Sequence, residues 1–547
     1  MKKFLFASLL GILAVVIFTF PSIFHISDRI IGDGGDNYQF LAFQNLAWRE
    51  FESGQFPFGW TNYWRYPVGF NFGISYDSSL LLTLGIVLYP IVSNPVVVYN
   101  LSVLLFLLFN YISSYIFFRY VTKSTFLGIL GGLIYGFSFY SLARMGGHPN
   151  LIFTGFVPLL AYSLYRIYKT QGDFISFVVL TIASILVYMS SLQYLLLVSG
   201  ALLITTPIFI VFYPTVFKEF VNILWQKKKL VLVSFIIIGS IFFFFHGQRL
   251  EMIVSKKLIL PTPEIVSVPL DNYFLPNIYS KTLSAIAANN TREWIEYVVF
   301  LGFAEFILFL VFLVSSVLPG RLRGFIAFLV LILFILSTGM VVYSLVFFTL
   351  PFRGIIEPGR FYVVFYFLIT LGILLSLPKR LLFLLIIFAI IFLERLPNNF
   401  YSSPTLYDRD LVKSVASIKS EAVLDVPIFT EWWNGNRYDL YSVYYDKPIV
   451  NGYIHWSGND ASTKSFLEKL QGFSCDSSRA SGFDVSKVRP LLLSTNIHTI
   501  VFHKDISIPH AECDMAISYF EQFAKSEKSH LVKRFENKEK NVYELVD

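Results

Sequence analysis

Cysteine is nearly absent from this 547-residue chain: there are two, Cys475 and Cys513. That excludes a disulfide-dense scaffold and any Cys-x-x-Cys metal or redox motif. Both lie in a polar C-terminal region, where a disulfide between them and two free thiols are equally open readings. Charge is also scarce, at 14% of residues against about 25% in soluble domains, which argues against a soluble globular protein. The eight histidines include no His-x-x-x-His pair, so no helical metal site is signalled. No Gly-x-x-x-x-Gly-Lys loop, dinucleotide fingerprint or nucleophile elbow occurs, which leaves ATP-driven pumping, hydride transfer and serine hydrolysis without support.

What the chain has in abundance is apolar and aromatic side chains, 55% and 18% of residues, with a mean hydropathy of +0.63. This composition predicts a polytopic membrane protein. Apolar runs long enough to cross, or nearly cross, a bilayer fall at 4–24, 96–118, 126–142, 151–165, 174–188, 192–211, 230–245, 297–317, 325–342, 361–377 and 381–393. The run 80–92 is short, contains Gly85 and Pro90, and reads as a dip into the membrane surface. With that reading, the basic clusters Lys2/Lys3, Arg119/Lys123, Arg166/Lys169, Lys218 with Lys227 to Lys229, Arg321/Arg323 and Lys379/Arg380 share one side, the cytoplasm. The topology is then about eleven transmembrane helices, with the N-terminus cytoplasmic and the C-terminus outside. The run after Met1-Lys2-Lys3 lacks a small-x-small cleavage site and reads as an uncleaved first span. The net charge of +7 is dispersed between apolar runs, so membrane lipids, and not nucleic acid, are the expected partners.

Nearly every residue able to do chemistry then falls on the outer side, in loops 25–79 and 246–296, in short turns, and after residue 394. The first loop opens with Gly32-Asp33-Gly34-Gly35-Asp36. A carboxylate there, at the edge of a low-dielectric slab, suits a general base, although Asp and Gly also dominate ordinary solvated turns. Trp64 and Arg65 combine an aromatic face with a guanidinium, as sugar and lipid phosphate require; an aromatic belt is the alternative. His148, between Gly147 and Pro149, sits at the outer mouth of two spans. Arg353 and Arg360 precede a late span, where they would hold a lipid phosphate or pair with Glu357. Asp271 and Glu296 add carboxylates that would either orient an acceptor or belong to an ordinary solvated loop. A metal would have to be assembled from Asp33, Asp36, His148 and loop carboxylates, and with no ligand spacing to support a divalent metal, no cofactor is expected.

From about residue 396 the composition turns polar. Segments 422–428, 447–453 and 498–503 read as strands, and 514–526 as an amphipathic helix. The chain therefore divides into a transmembrane domain, 1–395, and an extracytoplasmic α/β domain, 396–547.

Taken together, Gly32 to Asp36, Tyr66-Pro67-Val68-Gly69-Phe70-Asn71, Gly146-Gly147-His148-Pro149-Asn150-Leu151, Asn272-Tyr273-Phe274-Leu275-Pro276, Arg353 to Arg360 and Asn451-Gly452-Tyr453 resemble the GT-C superfamily of membrane glycosyltransferases. Within it they are similar to bacterial relatives of protein mannosyltransferases and to YfhO-type membrane proteins. The resemblance implies a mainly α, polytopic GT-C-like fold and transfer of a sugar from a polyprenyl-phosphate donor, with inversion, to a glycan, lipid or protein acceptor. It further implies Asp36 or Asp33 as general base, and Arg360 balancing the departing lipid phosphate. The loop departs from better-known members in having Asp-Gly-Gly-Asp in place of an adjacent acidic pair. Two other classes stay open: a non-enzymatic binder or transporter of lipid-linked glycan, and an oligosaccharide polymerase or ligase.

Overall fold

The computed structural model describes residues 2–254, 267–276, 280–283, 286, 295–339, 357–378, 380–396, 402–429, 435–452, 466–475, 485–504, 511–526 and 529–546. Among these, seven helices are long and apolar enough to cross a membrane: Pro95–Thr122, Thr125–Gly147, Pro149–Thr170, Leu192–Phe212, Lys228–Glu251, Gly320–Ser337 and Pro358–Ser376. The expected run at 174–188 is the shorter helix Phe174–Ser190, closed at its start by Asp173, whose carboxylate accepts from Ser176 N at 2.9 Å. Runs 297–317 and 381–393 also form short apolar helices, Phe303–Val314 and Leu382–Glu394, and the first run forms Lys2–Phe18. The dip at 80–92 is the ten-residue helix Ser79–Leu88, about 15 Å long and too short to cross.

Four helices position the first loop and the turn after residue 147: α1 (Asp36–Glu52), α2 (Pro95–Thr122), α3 (Thr125–Gly136) and α4 (Phe139–Gly147). Asn94 caps α2 through Val96 N and Val97 N, with Pro95 at its first position. Gly128, Gly132 and Gly136 recur at every fourth residue of α3, on the face against α2. A Cβ at Gly136 would lie 2.7 Å from the Tyr111 backbone, so only glycine lets the two helices approach so closely. In helix α1, Asn37 to Ala47 are all buried, because other elements pack against it.

The C-terminal part holds a four-stranded sheet of order β3-β4-β6-β5, with β3 (Val423–Val426), β4 (Thr499–His503), β5 (Leu531–Glu536) and β6 (Lys540–Leu545). β3 and β4 are parallel, while the β5–β6 hairpin, which the sequence reading missed, adds antiparallel. Leu424, Val426, Ile500 and Phe502 pack with Phe473 and Phe520 into a core of its own. Helix Ala511–Lys525 takes the place of the expected amphipathic helix, and Cys475 and Cys513 are joined in a disulfide.

This outer part is sewn into the first loop. β1 (Arg29–Ile31) pairs antiparallel with β2 (Ser402–Pro404). Ile449 N donates to Tyr63 O at 2.8 Å, and Arg65 N donates to Asn451 O at 3.0 Å. A helix of the outer part, α5 (Asn436–Tyr445), packs along α1.

Candidate active site

The turn carrying the two aspartates is fixed by side-chain amides. Asn100 on α2 accepts from Ile31 N at 2.9 Å and donates to Arg29 O at 2.7 Å. Asn37 donates to Ile31 O, Tyr99 Oη and Met145 O. Gly32, at φ 136°, makes room for it: a Cβ there would lie 2.1 Å from Asn37 Cγ. Asp33 N donates to Gly146 O at 2.7 Å, so the aspartate turn lies directly against the end of α4.

The segment after α4 is held as firmly. Asn110 on α2 donates to Ile152 O and accepts from Thr154 N and Gly155 N, each at 2.8 Å. His148 is thereby placed between two carboxylates, with Nδ1 3.1 Å from Asp36 Oδ2 and Nε2 3.2 Å from Glu296 Oε1. Behind it, Glu296 takes Arg360 Nη2 at 2.7 Å and Arg144 Nη2 at 3.0 Å. Arg360 Nη1 also lies 3.2 Å from Glu357 Oε2. The result is a continuous line from Asp36 through His148 and Glu296 to Arg360 and Glu357.

Burial grades along that line. Glu296 is 3% exposed and the two arginines are buried, whereas the Asp36 side chain keeps 32% of its surface. The Asp36 end is therefore the solvent-accessible end of the line. Burial alone would raise the Glu296 carboxyl, but Arg144, Arg360 and His148 outweigh it and hold it below the usual carboxylate range. Burial raises Glu357, with Arg360 opposing. Asp33 keeps solvent contact yet is recessed among protein atoms. That desolvation raises its carboxyl, opposed by the Gly35 N–H and reinforced by Asp36.

Because Glu296 stays ionised, it only accepts, so the ring nitrogen facing it, Nε2, carries a hydrogen. Nδ1 then faces Asp36 Oδ2 at 3.1 Å. Among the described residues, no group of three or more His, Cys, Asp or Glu side chains is arranged to hold a metal ion.

Of the residues singled out from sequence, Asp36, Asp33, His148, Glu296 and Arg360 converge here. Trp64 does not. It is fully buried, stacked between Phe43 and Phe70 at 5.2 and 5.9 Å, and donates Nε1 to Ser442 Oγ at 3.0 Å, so its face is closed to any sugar. Arg65 has a left-handed backbone, φ 58°, at the seam with the outer part. Asp271 is exposed at the start of the short turn Leu270–Tyr273, whose Asn272 donates to Tyr297 O at 3.0 Å and steadies the Glu296 turn. Arg353 lies outside the described residues. Arg144 was assigned no role, although a charge inside an apolar helix is itself a signal. Asn436, whose Nδ2 lies 3.4 Å from Asp36 Oδ1, carried no local signal at all.

No family model matches the sequence, and no curated protein does either. Solved structures do. The arabinofuranosyltransferase AftD from Mycobacteria superposes with a TM-score of 0.53 at 14% identity, over 100% of this chain and 40% of that one. A mutant form of it gives 0.55 at 13% identity, over 99% and 41%. The chain has the GT-C fold. It spans about two fifths of AftD's length, so what the likeness establishes is the fold. ArnT from Cupriavidus metallidurans in the apo state covers 98% of this chain and 97% of its own at 12% identity, but at a TM-score of 0.48 it carries no argument.

Proposed function

We propose that this GT-C chain is a membrane glycosyltransferase acting on the extracytoplasmic side, with a polyprenyl-phosphate-linked sugar as donor and Asp36 as general base. One observation carries the reading: Asp36 stands at the open end of a buried charge line, hydrogen-bonded to a histidine whose other nitrogen is fixed by an ionised glutamate. A carboxylate so positioned is preorganised to take a proton from an acceptor hydroxyl.

The acceptor oxygen, as its proton passes to Asp36, forms a bond to the anomeric carbon. The bond from that carbon to the phosphate oxygen breaks, and its electron pair leaves with the lipid phosphate. Attack opposite the leaving group inverts the centre. Arg360 is assigned to that phosphate, and its Nη1 lies 3.2 Å from Glu357 Oε2, a carboxyl that burial raises. Because burial raises Glu357, a donor phosphate competes with it for Arg360 Nη1 more readily than with Glu296. Arg353, outside the described residues, is assigned to the same phosphate from its place in the sequence, Arg65 to the substrate's sugar or phosphate, and Asp271 to the acceptor. The mechanism draws on no cofactor.

The test is a transfer assay with a panel of polyprenyl-phosphate sugars. Asp36→Asn should abolish transfer while leaving donor binding and expression nearly unchanged; Asp33→Asn should retain most of it. Full transfer by both variants would remove the general-base assignment. Donor that binds to the wild-type protein and is never consumed would replace the enzyme with a glycan carrier.

A further inference from the structure

The outer part of the chain is not a hanging module, because it reaches the base itself. Asn436 is fully buried at the first position of α5, and its Nδ2 points at Asp36 Oδ1 at 3.4 Å. Its Oδ1 has no hydrogen-bond partner among the described residues. Asp36 occupies the same position in α1, so the N-termini of two helices meet at one carboxylate, each with its positive dipole end toward it. From there the helices run side by side: Asp446, just past the end of α5, pairs with Arg49 near the end of α1 at 2.5 Å. The same register is locked by Trp64 Nε1 on Ser442 Oγ at 3.0 Å and by Tyr38 Oη on Pro404 O at 2.9 Å.

We infer that Asn436 is a positioning residue for the reaction proposed above, so that the catalytic site is complete only when the outer part is docked on the first loop. Each oxygen of Asp36 then has a separate holder. His148 on Oδ2 is the proton-sharing partner, and Asn436 on Oδ1 sets the carboxylate plane toward the acceptor. An amide suits that task, since it donates a hydrogen bond without titrating beside Asp33, Asp36 and His148. The inference rests on the glycosyltransferase reading only for its kinetic part; the contact itself can be tested without turnover.

Two measurements test it on the full-length protein in membranes. In the first, Asn436→Ala should lower kcat about ten- to a hundredfold, the scale of one hydrogen bond to a charged group, with KM for the lipid-linked donor unchanged. The acid limb of its pH–rate profile should move to higher pH, because the carboxylate loses a donor that favours its charged form. Asn436→Asp, of nearly the same shape but with a carboxylate facing Asp36, should move that limb further. A fall in kcat with the acid limb unmoved would mean a merely structural role and would overturn the inference, as would an unchanged kcat. The second measurement uses the double variant Asp36→Cys/Asn436→Cys with a short bifunctional thiol reagent, read as linked peptides by mass spectrometry. Linkage is expected. Its absence from folded protein overturns the inference whatever the activity, whereas linkage in the double variant, with a wild-type protein that consumes no donor, would leave the docking intact and remove the reaction.

Discussion

His148 Nε2 and Glu296 Oε1 lie 3.2 Å apart, and that contact decides which face of the imidazole reaches Asp36. Two arginines behind Glu296 keep it an acceptor, so the orientation of His148 is set by charges on two other segments. The placing of His148 against Asp36 thus rests on a buried cluster of Glu296, Arg144 and Arg360.

Removing the proton-sharing partner should slow turnover without loosening the donor. His148→Ala should lower kcat about a hundredfold in the transfer assay, near the lower end of a general-base contribution, with donor KM unchanged. An equal rise in KM with kcat preserved would place His148 in binding instead.

Glu296 should be the costliest carboxylate to neutralise. Glu296→Gln leaves Arg144 and Arg360 buried without their shared counter-charge, which should destabilise the protein by about 3–5 kcal/mol, read as thermal unfolding in detergent. The pH dependence has a definite sign. A carboxyl held below its unfolded value contributes stability that is complete above the ordinary glutamate value, about 4.3, and is lost as pH falls below it. Wild type should lose stability on acidification through that window, and Glu296→Gln should lack the component.

Glu357 and Arg360 should respond in opposite directions. Arg360→Ala should weaken donor binding, whereas Glu357→Gln should tighten it severalfold by removing the carboxylate that competes with phosphate. Equilibrium binding of a non-transferable lipid-phosphate analogue measures both, and weakening by Glu357→Gln would refute the competition.

Trp64 should behave as core. Trp64→Ala should destabilise the protein by about 3–5 kcal/mol in thermal unfolding, whereas a sugar-stacking role predicts a change in KM with stability preserved.

Sidedness is open to direct labelling. Single cysteines at positions 36 and 148 should react with an impermeant thiol reagent from outside intact cells, and one at 228 should not. The joined Cys475 and Cys513 leave no native thiol to compete, so denatured wild type should take up label only after reduction.

The sequence by itself determined the class of molecule. Runs of apolar residues bounded by basic clusters specify membrane helices, because an unpaired backbone in lipid is too unfavourable to leave any other solution. That the run at 80–92 is too short to cross was legible from its length, and Asp33, Asp36, His148, Glu296 and Arg360 stood out as charged or titratable residues at the edges of apolar runs. What only the tertiary structure decided is which of these meet. Glu296 and Glu357 are equally acidic in sequence, yet one is held ionised between two arginines and the other is not, since solvation and neighbouring charge act through space. Trp64 and Asn436 show the same limit from opposite sides. The tryptophan has the composition of a sugar platform and is enclosed in core. The asparagine has no motif around it, and α5 brings it across 400 residues of chain to Asp36.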